Sequence, residues 1–257
     1  MAESDAELAA RIFAIMRRKV PKAAELTGDA LNALLGAKAN DAEYIKDNFS
    51  QLIHDTQIKA YHLYLEHEAR ESGAAIRDVV MPLLPSGATA DDVFSFLENR
   101  FHAIDRLCLS LSQSRRTRAG STFETIVTTL FRKLGYPHTP QPQINGSRPD
   151  YVLPSLAHYL AYSSDCIIFT CKRTLRERWR QAITEGVTGQ FFLATVDDQL
   201  SVQQIDAMKE KNVVLVVPAG LKNTAYKDRM NVVSFETFFD HYLDPAIVRW
   251  KANGTIS

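Results

Sequence analysis

Two polar residues stand at the ends of apolar runs in the sequence, where they could take part in phosphodiester hydrolysis. Asp150 follows a turn-rich stretch and opens the run DYVL at 150–153, and Lys172 comes directly after the run CIIFTC at 166–171. A carboxylate at one strand end could hold Mg²⁺, and an ammonium group at a neighbouring strand end could orient or stabilise an attacking water. We therefore expect Asp150 and Lys172 to converge on one metal ion and one water molecule.

A second acid is needed for this chemistry, and its position departs from the usual strand-end motif. That motif has an acid two residues before the lysine, but here the position holds Thr170. Glu185 lies thirteen residues after Lys172 in a stretch of helical pattern, on roughly the same face as Arg178. We predict that Glu185 supplies the missing carboxylate, so that Asp150 and Glu185 are the metal ligands. Each of these residues, taken alone, also fits an ordinary cap, strand end or solvated helix position.

Short strands that alternate with helices are predicted to position these side chains. Apolar or β-branched runs lie at 150–153, 166–170, 191–196 and 213–217, and an amphipathic helix is predicted from about residue 121 to 134. The last three runs are almost entirely apolar, which is typical of central strands that are covered on both faces. The pattern predicts an α/β fold with a mixed central sheet flanked by helices.

The first 111 residues have a helical pattern instead. Apolar side chains recur at three- and four-residue spacing over 5–18, 42–70 and 93–111. We therefore predict a helical N-terminal arm at 1–111 and an α/β core at 112–257. The arm has 12 basic and 17 acidic residues, which leaves 18 basic and 13 acidic residues in the core. The basic surplus thus accompanies Asp150, Lys172 and Glu185.

The composition limits the classes of protein that this chain can belong to. Hydrophobic residues make up 46% of the sequence, enough for a sizeable core. The three cysteines have neither CxxC nor CxxH spacing, so neither a disulfide framework nor a zinc site is predicted. The N-terminus lacks a hydrophobic signal core, and no stretch has the length needed to span a bilayer. We expect a cytoplasmic protein that does not associate with membranes.

Two segments of the core resemble a known family. QSRRTRAGSTFE at 113–124 and CKRTLRERWRQAITE at 171–185 are similar to the EcoRII and PspGI group of type II restriction endonucleases, in the PD-(D/E)XK superfamily. The spacing of Asp150, Lys172 and Glu185 also follows the pattern of that group. The resemblance implies a restriction-endonuclease-like fold and Mg²⁺-dependent cleavage of double-stranded DNA. The implied site is a palindromic CC…GG sequence, of CCNGG or CCWGG type, cut to leave 5′-phosphates.

The second segment contains three residues with the chemistry for reading G·C base pairs. Arg176, Glu177 and Arg178 open a predicted helix that begins shortly after Lys172. An arginine can donate two hydrogen bonds to guanine O6 and N7, and a glutamate can accept one from cytosine N4. An ordinary surface helix with ion pairs would have the same composition. With the family resemblance, we predict base contacts for all three.

The first segment supplies one further acid and several DNA contacts by the same resemblance. It implies that Glu124 is an additional active-site acid and that Gln113 contacts the outer base pair. Arg115, Arg116 and Arg118 would contact phosphates, which position the backbone without reading sequence. A solvated basic cluster is the alternative interpretation of these arginines. Tyr61, His62 and Tyr64 are candidates for stacking on an extruded base, as in some relatives, although an aromatic residue at helical spacing is more often core.

A palindromic site is most simply recognised by a twofold dimer in which each subunit cuts one strand. The resemblance accordingly implies a homodimer, with the N-terminal helices contributing to the interface or to DNA contacts. Two other functions remain open at this stage. One is a repair or structure-specific nuclease that uses the same active site without base readout. The other is a catalytically inactive, sequence-specific DNA-binding protein.

Overall fold

A computed structural model describes residues 3–144, 146–175 and 189–256 of the chain. Within these ranges the α-helices are α1 (Asp5–Lys19), α2 (Ala23–Leu35), α3 (Ala42–Asp47), α4 (Phe49–Val80), α5 (Ala90–Asn99), α6 (Phe101–Lys133), α7 (Leu156–Tyr162), α8 (Val202–Glu210), α9 (Ala219–Asn223), α10 (Phe235–Phe238) and α11 (Asp244–Ala252). The strands are β1 (Thr139–Pro140), β2 (Tyr151–Leu153), β3 (Ile167–Cys171), β4 (Gln190–Ala194), β5 (Val213–Val217) and β6 (Val232–Ser234). Short 3₁₀ turns and one π turn connect some of these elements.

The six strands form one mixed sheet in the order β1-β2-β3-β4-β5-β6. β1, β2 and β3 pair antiparallel, and β3 to β6 pair parallel. The parallel pairing brings the carboxyl ends of β3 and β4 to the same edge, with Cys171 opposite Ala194. The predicted fold class is confirmed, and the four predicted apolar runs all overlap observed strands.

Along each strand the side chains alternate between the two faces of the sheet, and both faces are buried. On one face Phe169 and Phe192 pack in a cluster with Phe131 and Trp250 from the helices. On the other face Ile168, Leu193 and Leu215 pack in a separate cluster that includes α8 residues. Central strands with both faces covered have no need of polar positions, which explains their continuous apolar sequence. A polar residue at a strand end is therefore conspicuous.

The described residues form two compact units, each built from two stretches of the chain. The first comprises Met1–Ala30 and Gln57–Thr122 and is helical, with a core that includes Leu8, Met16 and Tyr64. The second comprises Leu31–Thr56 and Phe123–Ser257 and contains the sheet. The functional division into an arm at 1–111 and a core at 112–257 stays a prediction.

The helix boundaries differ from the prediction near the expected domain junction. The predicted boundaries at 111 and about 121 are wrong, because α6 continues without interruption from Phe101 to Lys133. The predicted helix over 93–111 is instead divided at Arg100, between α5 and α6. The intervening residues 112–119 are mostly polar, which hides the apolar period but does not break a helix. Ser121 and Thr122 accommodate the helical conformation by donating hydroxyl hydrogen bonds to the Arg118 carbonyl, at 3.0 and 2.9 Å. The predicted helix over 42–70 is divided at Asn48 into α3 and α4.

No helix in the three described ranges is long and apolar enough to cross a membrane.

We expect Phe131→Ala to destabilise the second unit by about 3–5 kcal/mol, the usual cost of removing a buried aromatic side chain. Phe131 is fully buried, and the centre of its ring lies 5.2 Å from the centre of the Phe169 ring and 5.9 Å from that of the Tyr151 ring. Urea unfolding measures the change. Leu160→Ala is the control, because Leu160 is 76% exposed and should shift the free energy of unfolding by less than about 0.5 kcal/mol. Equal shifts for both variants would contradict this account of the core.

Candidate active site

Asp150 lies directly before β2, where the antiparallel pairing of β2 with β3 brings it next to the end of β3. Its side chain is only 6% exposed. Oδ2 accepts a hydrogen bond of 2.7 Å from the backbone N–H of Cys171, the last residue of β3. The carboxylate is thus fixed beside the residue that precedes Lys172.

Lys172 continues from β3 and is held by its backbone. Its N–H donates to the carbonyl of Ala194 at 2.9 Å, so the parallel pairing with β4 extends one residue beyond the strand. The residue itself is exposed, and its ammonium group is near enough to the Asp150 carboxylate to oppose the rise that burial causes in the pKa of Asp150. The structure therefore brings together the two residues that the strand-end pattern singled out.

Glu124 joins them from helix α6. Its backbone carbonyl accepts a hydrogen bond of 2.8 Å from the hydroxyl of Thr128, and that hydroxyl also contacts the Tyr151 hydroxyl. Because Tyr151 follows Asp150 in the chain, this contact fixes the turn of α6 that carries Glu124 against β2. The amide nitrogen Nε2 of Gln141 reaches Oε1 of Glu124 at 3.5 Å.

Burial disfavours the charged form of both acids, and the charge of Asp150 adds to this effect at Glu124. Desolvation is the main cause that raises the pKa of Asp150, and the Cys171 N–H and Lys172 oppose it. Desolvation followed by the charge of Asp150 raises the pKa of Glu124, against the effect of Lys172 and Gln141. Such a pair of partly desolvated carboxylates would gain from a divalent cation, and oxygen ligands suit Mg²⁺. The carboxylate oxygens of Asp150 and Glu124 are ligands of the kind that suits Mg²⁺.

Other predicted residues of the core lie outside the described ranges. These are Glu185, the expected second metal ligand, and the expected base-reading residues Arg176, Glu177 and Arg178. Within the described ranges, no group of three or more His, Cys, Asp or Glu residues could hold a metal ion. Thr170, at the position of the usual second acid, is buried on β3. Cys171 is not a ligand candidate, because complete burial raises the pKa of its thiol far above the usual range.

Gln113, Arg115 and Arg118 belong to the first unit, on α6. Gln113 is exposed and lines a groove of about 560 Å³, together with Arg17 and Arg118. Arg115 donates from Nε to Oε2 of the buried Glu68 at 2.8 Å. This ion pair could not be predicted from the sequence, because Glu68 is distant from Arg115 in the chain.

Arg118 also has intramolecular partners. It donates to the Pro21 carbonyl at 2.8 Å, and its guanidinium carbon lies 4.5 Å from the centre of the Tyr64 ring. Tyr64 is buried and its hydroxyl donates to Glu68, whereas Tyr61 is exposed. Of these two tyrosines, Tyr61 is the one that a base could reach in this conformation.

Sequence reasoning missed Gln141, the amide that approaches Glu124. Gln141 lies after β1 with a positive φ of 45°, and its backbone N–H donates to the Asp150 carbonyl at 2.8 Å. A non-glycine residue in this conformation is uncommon and costs about 1–3 kcal/mol of strain. The preceding and following prolines mark a loop, but no sequence signal distinguishes Gln141 from the other polar residues there.

The mixed sheet has a restriction-endonuclease-like fold, and an acid directly before β2, a lysine directly after β3 and a second acid from helix α6 come together on it. The structure of metal-depleted Ecl18kI in complex with uncleaved, modified DNA has a TM-score of 0.80 and 25% identity to this chain, covering 100% of this chain and 88% of that chain. The PspGI–substrate DNA complex has a TM-score of 0.67 at 20% identity, covering 92% of this chain and 96% of that chain, which supports the fold alone.

The family itself is defined by the sequence. Residues 83–239 match the family described as EcoRII C terminal, and the chain belongs to this family. The type II restriction enzyme SsoII of Shigella sonnei is 36% identical over 152 residues, 54% of this chain and 50% of that enzyme. The type II restriction enzyme EcoRII of Escherichia coli is 30% identical over 138 residues, 50% of this chain and 34% of that enzyme. The match therefore spans half or less of the length of these relatives.

We expect Asp150→Asn to stabilise the metal-free protein at neutral pH. A raised pKa in the folded state means that the native protein binds the proton of Asp150 more tightly than the unfolded chain does. The charged form therefore costs stability in full above the raised pKa, and that cost decreases as the pH falls through the raised pKa and vanishes below the pKa of the unfolded chain. The advantage of Asp150→Asn should accordingly be larger at pH 7.5 than at about pH 4.

Urea unfolding in EDTA at the two pH values measures this difference. Asp198→Asn is the matched control, because it removes the same charge from an exposed position near the site. An advantage of Asp150→Asn that is the same at both pH values, or that is shared by Asp198→Asn, would contradict the assigned cost of burying Asp150.

Proposed function

We propose that this protein is a Mg²⁺-dependent type II restriction endonuclease that cleaves double-stranded DNA at a palindromic CC…GG site. The observation that carries the proposal is the convergence of Asp150 and Lys172, at the ends of paired strands, with Glu124 from helix α6. Membership of the EcoRII C-terminal family and the similarity to two type II restriction enzymes support it. The expected cytoplasmic location, where cellular DNA would be accessible, belongs to the same proposal.

In the proposed mechanism, Asp150 and Glu185 would hold Mg²⁺, which would supply charge neutralisation at the phosphate and make the attacking water more acidic. Asp150 has one oxygen committed to the Cys171 N–H, which fixes the direction of the carboxylate. Lys172 orients the attacking water and stabilises the nucleophile. Glu124 helps to hold the metal or the water. In-line attack of the water oxygen on phosphorus breaks the bond from phosphorus to O3′, and O3′ takes up a proton from solvent, which leaves a 5′-phosphate and a 3′-hydroxyl.

Recognition of the CC and GG bases is assigned to two places in the sequence. Arg176, Glu177 and Arg178 make hydrogen bonds to guanine and cytosine, each good bidentate pair giving about 1–3 kcal/mol of discrimination. Gln113 contacts the outer base pair. Arg115 and Arg118 contact the DNA backbone with the parts of their guanidinium groups that remain available beside Glu68 and Pro21. The site is of CCNGG or CCWGG type.

The active form is proposed to be a homodimer, as a palindromic site favours. The first unit has exposed apolar side chains on α5 and at the start of α6, including Phe94 and Phe101, each 64% exposed. Val93, Leu97 and Ile104 are also exposed. A concentration of exposed apolar side chains is typical of a protein interaction surface.

We expect the purified protein to cut a sequenced plasmid into discrete fragments in Mg²⁺ and to leave it intact in EDTA. Sequencing of the fragment ends should show CC…GG at every cut and identify the central base. Glu185→Ala is the matched inactive protein, and it should bind the site without cutting.

The other outcomes of this digest identify the alternatives. Cutting at unrelated sequences or at DNA structures would indicate a repair or structure-specific nuclease. Specific binding by the wild type without any cutting would indicate an inactive DNA-binding protein.

We expect the double substitution Phe94→Asp and Phe101→Asp to convert the dimer into a monomer, because two buried carboxylates would oppose association. Sedimentation velocity measures the oligomeric state. Leu160→Asp, on an exposed position of the second unit, should remain dimeric. A dimer that survives the double substitution would place the interface elsewhere, and a monomeric wild type would contradict the homodimer.

A further inference from the structure

A second buried acid lies next to the active site, in the loop that follows β4. Asp197 is only 6% exposed, although aspartate is rarely buried without a partner. Its Oδ2 accepts a hydrogen bond of 2.7 Å from the backbone N–H of Leu175. Its Oδ1 accepts one of 3.0 Å from the backbone N–H of Gln199. Within the described ranges Asp197 forms no ion pair, so these two N–H groups offset the cost of burying its charge.

The bond to Leu175 restrains the segment that carries the predicted catalytic lysine. Lys172 is held at its own N–H by the Ala194 carbonyl at 2.9 Å. The Arg173 carbonyl accepts a bond of 3.2 Å from the hydroxyl of Thr195. Leu175 is buried in the core and fixed at its N–H by Asp197. Three hydrogen bonds therefore connect residues 172–175 to residues 194–197.

Asp197 is itself held in place from three directions. Its N–H donates to the Thr195 hydroxyl at 3.1 Å, and the Gln199 bond closes the turn on the other side. Its carbonyl accepts a bond of 2.6 Å from the buried Tyr226 hydroxyl. A turn needs only the Gln199 bond, which Asn or Ser could also accept. The additional bond to Leu175 is what calls for two acceptor oxygens.

We propose that Asp197 is a positioning residue that fixes residues 172–175, the part of the chain that leads from Lys172 to the residues proposed to read the bases. Leu175 is followed in the chain by Arg176, the first predicted base contact, so the chain enters that segment from a point fixed by Asp197. This inference rests on the proposed function. Loss of the Leu175 bond would loosen the link between recognition and cleavage, and it would thereby lower selectivity as well as rate.

The test is Asp197→Asn, which keeps the size of the side chain and can still close the turn to Gln199. One oxygen becomes an NH₂ group, which cannot accept from a second N–H. We expect single-turnover cleavage of a cognate duplex to slow by about 100-fold, as a displacement near 1 Å can cause. Cleavage of duplexes with one altered C·G pair should slow much less. The ratio of the cleavage rate of the cognate duplex to that of an altered duplex should therefore fall by at least about tenfold.

Binding measured in EDTA gives a second readout that does not depend on catalysis. Fluorescence anisotropy with the same duplexes should show a reduced preference for the cognate site. Asp198→Asn is the matched control, because it removes the same charge from the neighbouring exposed residue and should retain the wild-type ratio. Thermal melting by circular dichroism shows that each variant is folded at the assay temperature.

A folded Asp197→Asn with the wild-type ratio would overturn the proposal, as would an equal loss in Asp198→Asn or an equal slowing at all duplexes. If Asp197→Asn does not fold, two variants of Thr195 test the proposal instead. Thr195→Val removes the hydroxyl that bonds Arg173 and Asp197, whereas Thr195→Ser keeps it. A lower ratio in Thr195→Val alone supports the proposal, and equal ratios overturn it. A wild type that cuts no duplex would instead contradict the proposed function.

Discussion

The burial of a carboxylate beside the end of strand β3 is the constraint on which the site depends. Asp150 gives up most of its hydration and receives one backbone hydrogen bond from Cys171 in return. A single neutral donor and a nearby ammonium do not offset that loss, because the pKa of Asp150 is still raised. The apolar sheet thus stabilises a site in which the charge of Asp150 is unfavourable, and the proposed cation would complement that charge, a common relation between stability and function.

The rest of the fold holds the other polar groups close to this charge. The antiparallel pairing of β2 with β3 brings Asp150 to Cys171, and the parallel pairing with β4 fixes Lys172. The contact of Thr128 with Tyr151 brings Glu124 on α6 to the same place. Backbone pairing and side-chain hydroxyls therefore position all three groups, while the packed aromatic residues beneath them keep the strands from shifting.

The sheet and part of the site could be predicted from sequence because their signals are local. Apolar runs of four to six residues predicted β2 to β5 but not the short strands β1 and β6, and an acid and a lysine at the ends of two such runs marked the site. Gln141, Glu68 and Asp197 could not be predicted, since their partners are 17, 47 and 22 residues away in sequence. The continuity of α6 was missed because its polar middle section has no apolar period. The resemblance, rather than any periodicity, identified Glu124.

The hydrogen bond from Cys171 to Asp150 has a consequence for protein engineering. The donor is a main-chain N–H, so the contact is independent of which side chain stands at position 171. Alignments and residue covariation cannot reveal such a contact, and copying the acids and the lysine onto another scaffold would not reproduce it. A transplanted site would also need a strand that ends at the same depth, with an unpaired amide pointing towards the acid. Strand length is therefore as much a design variable as residue identity.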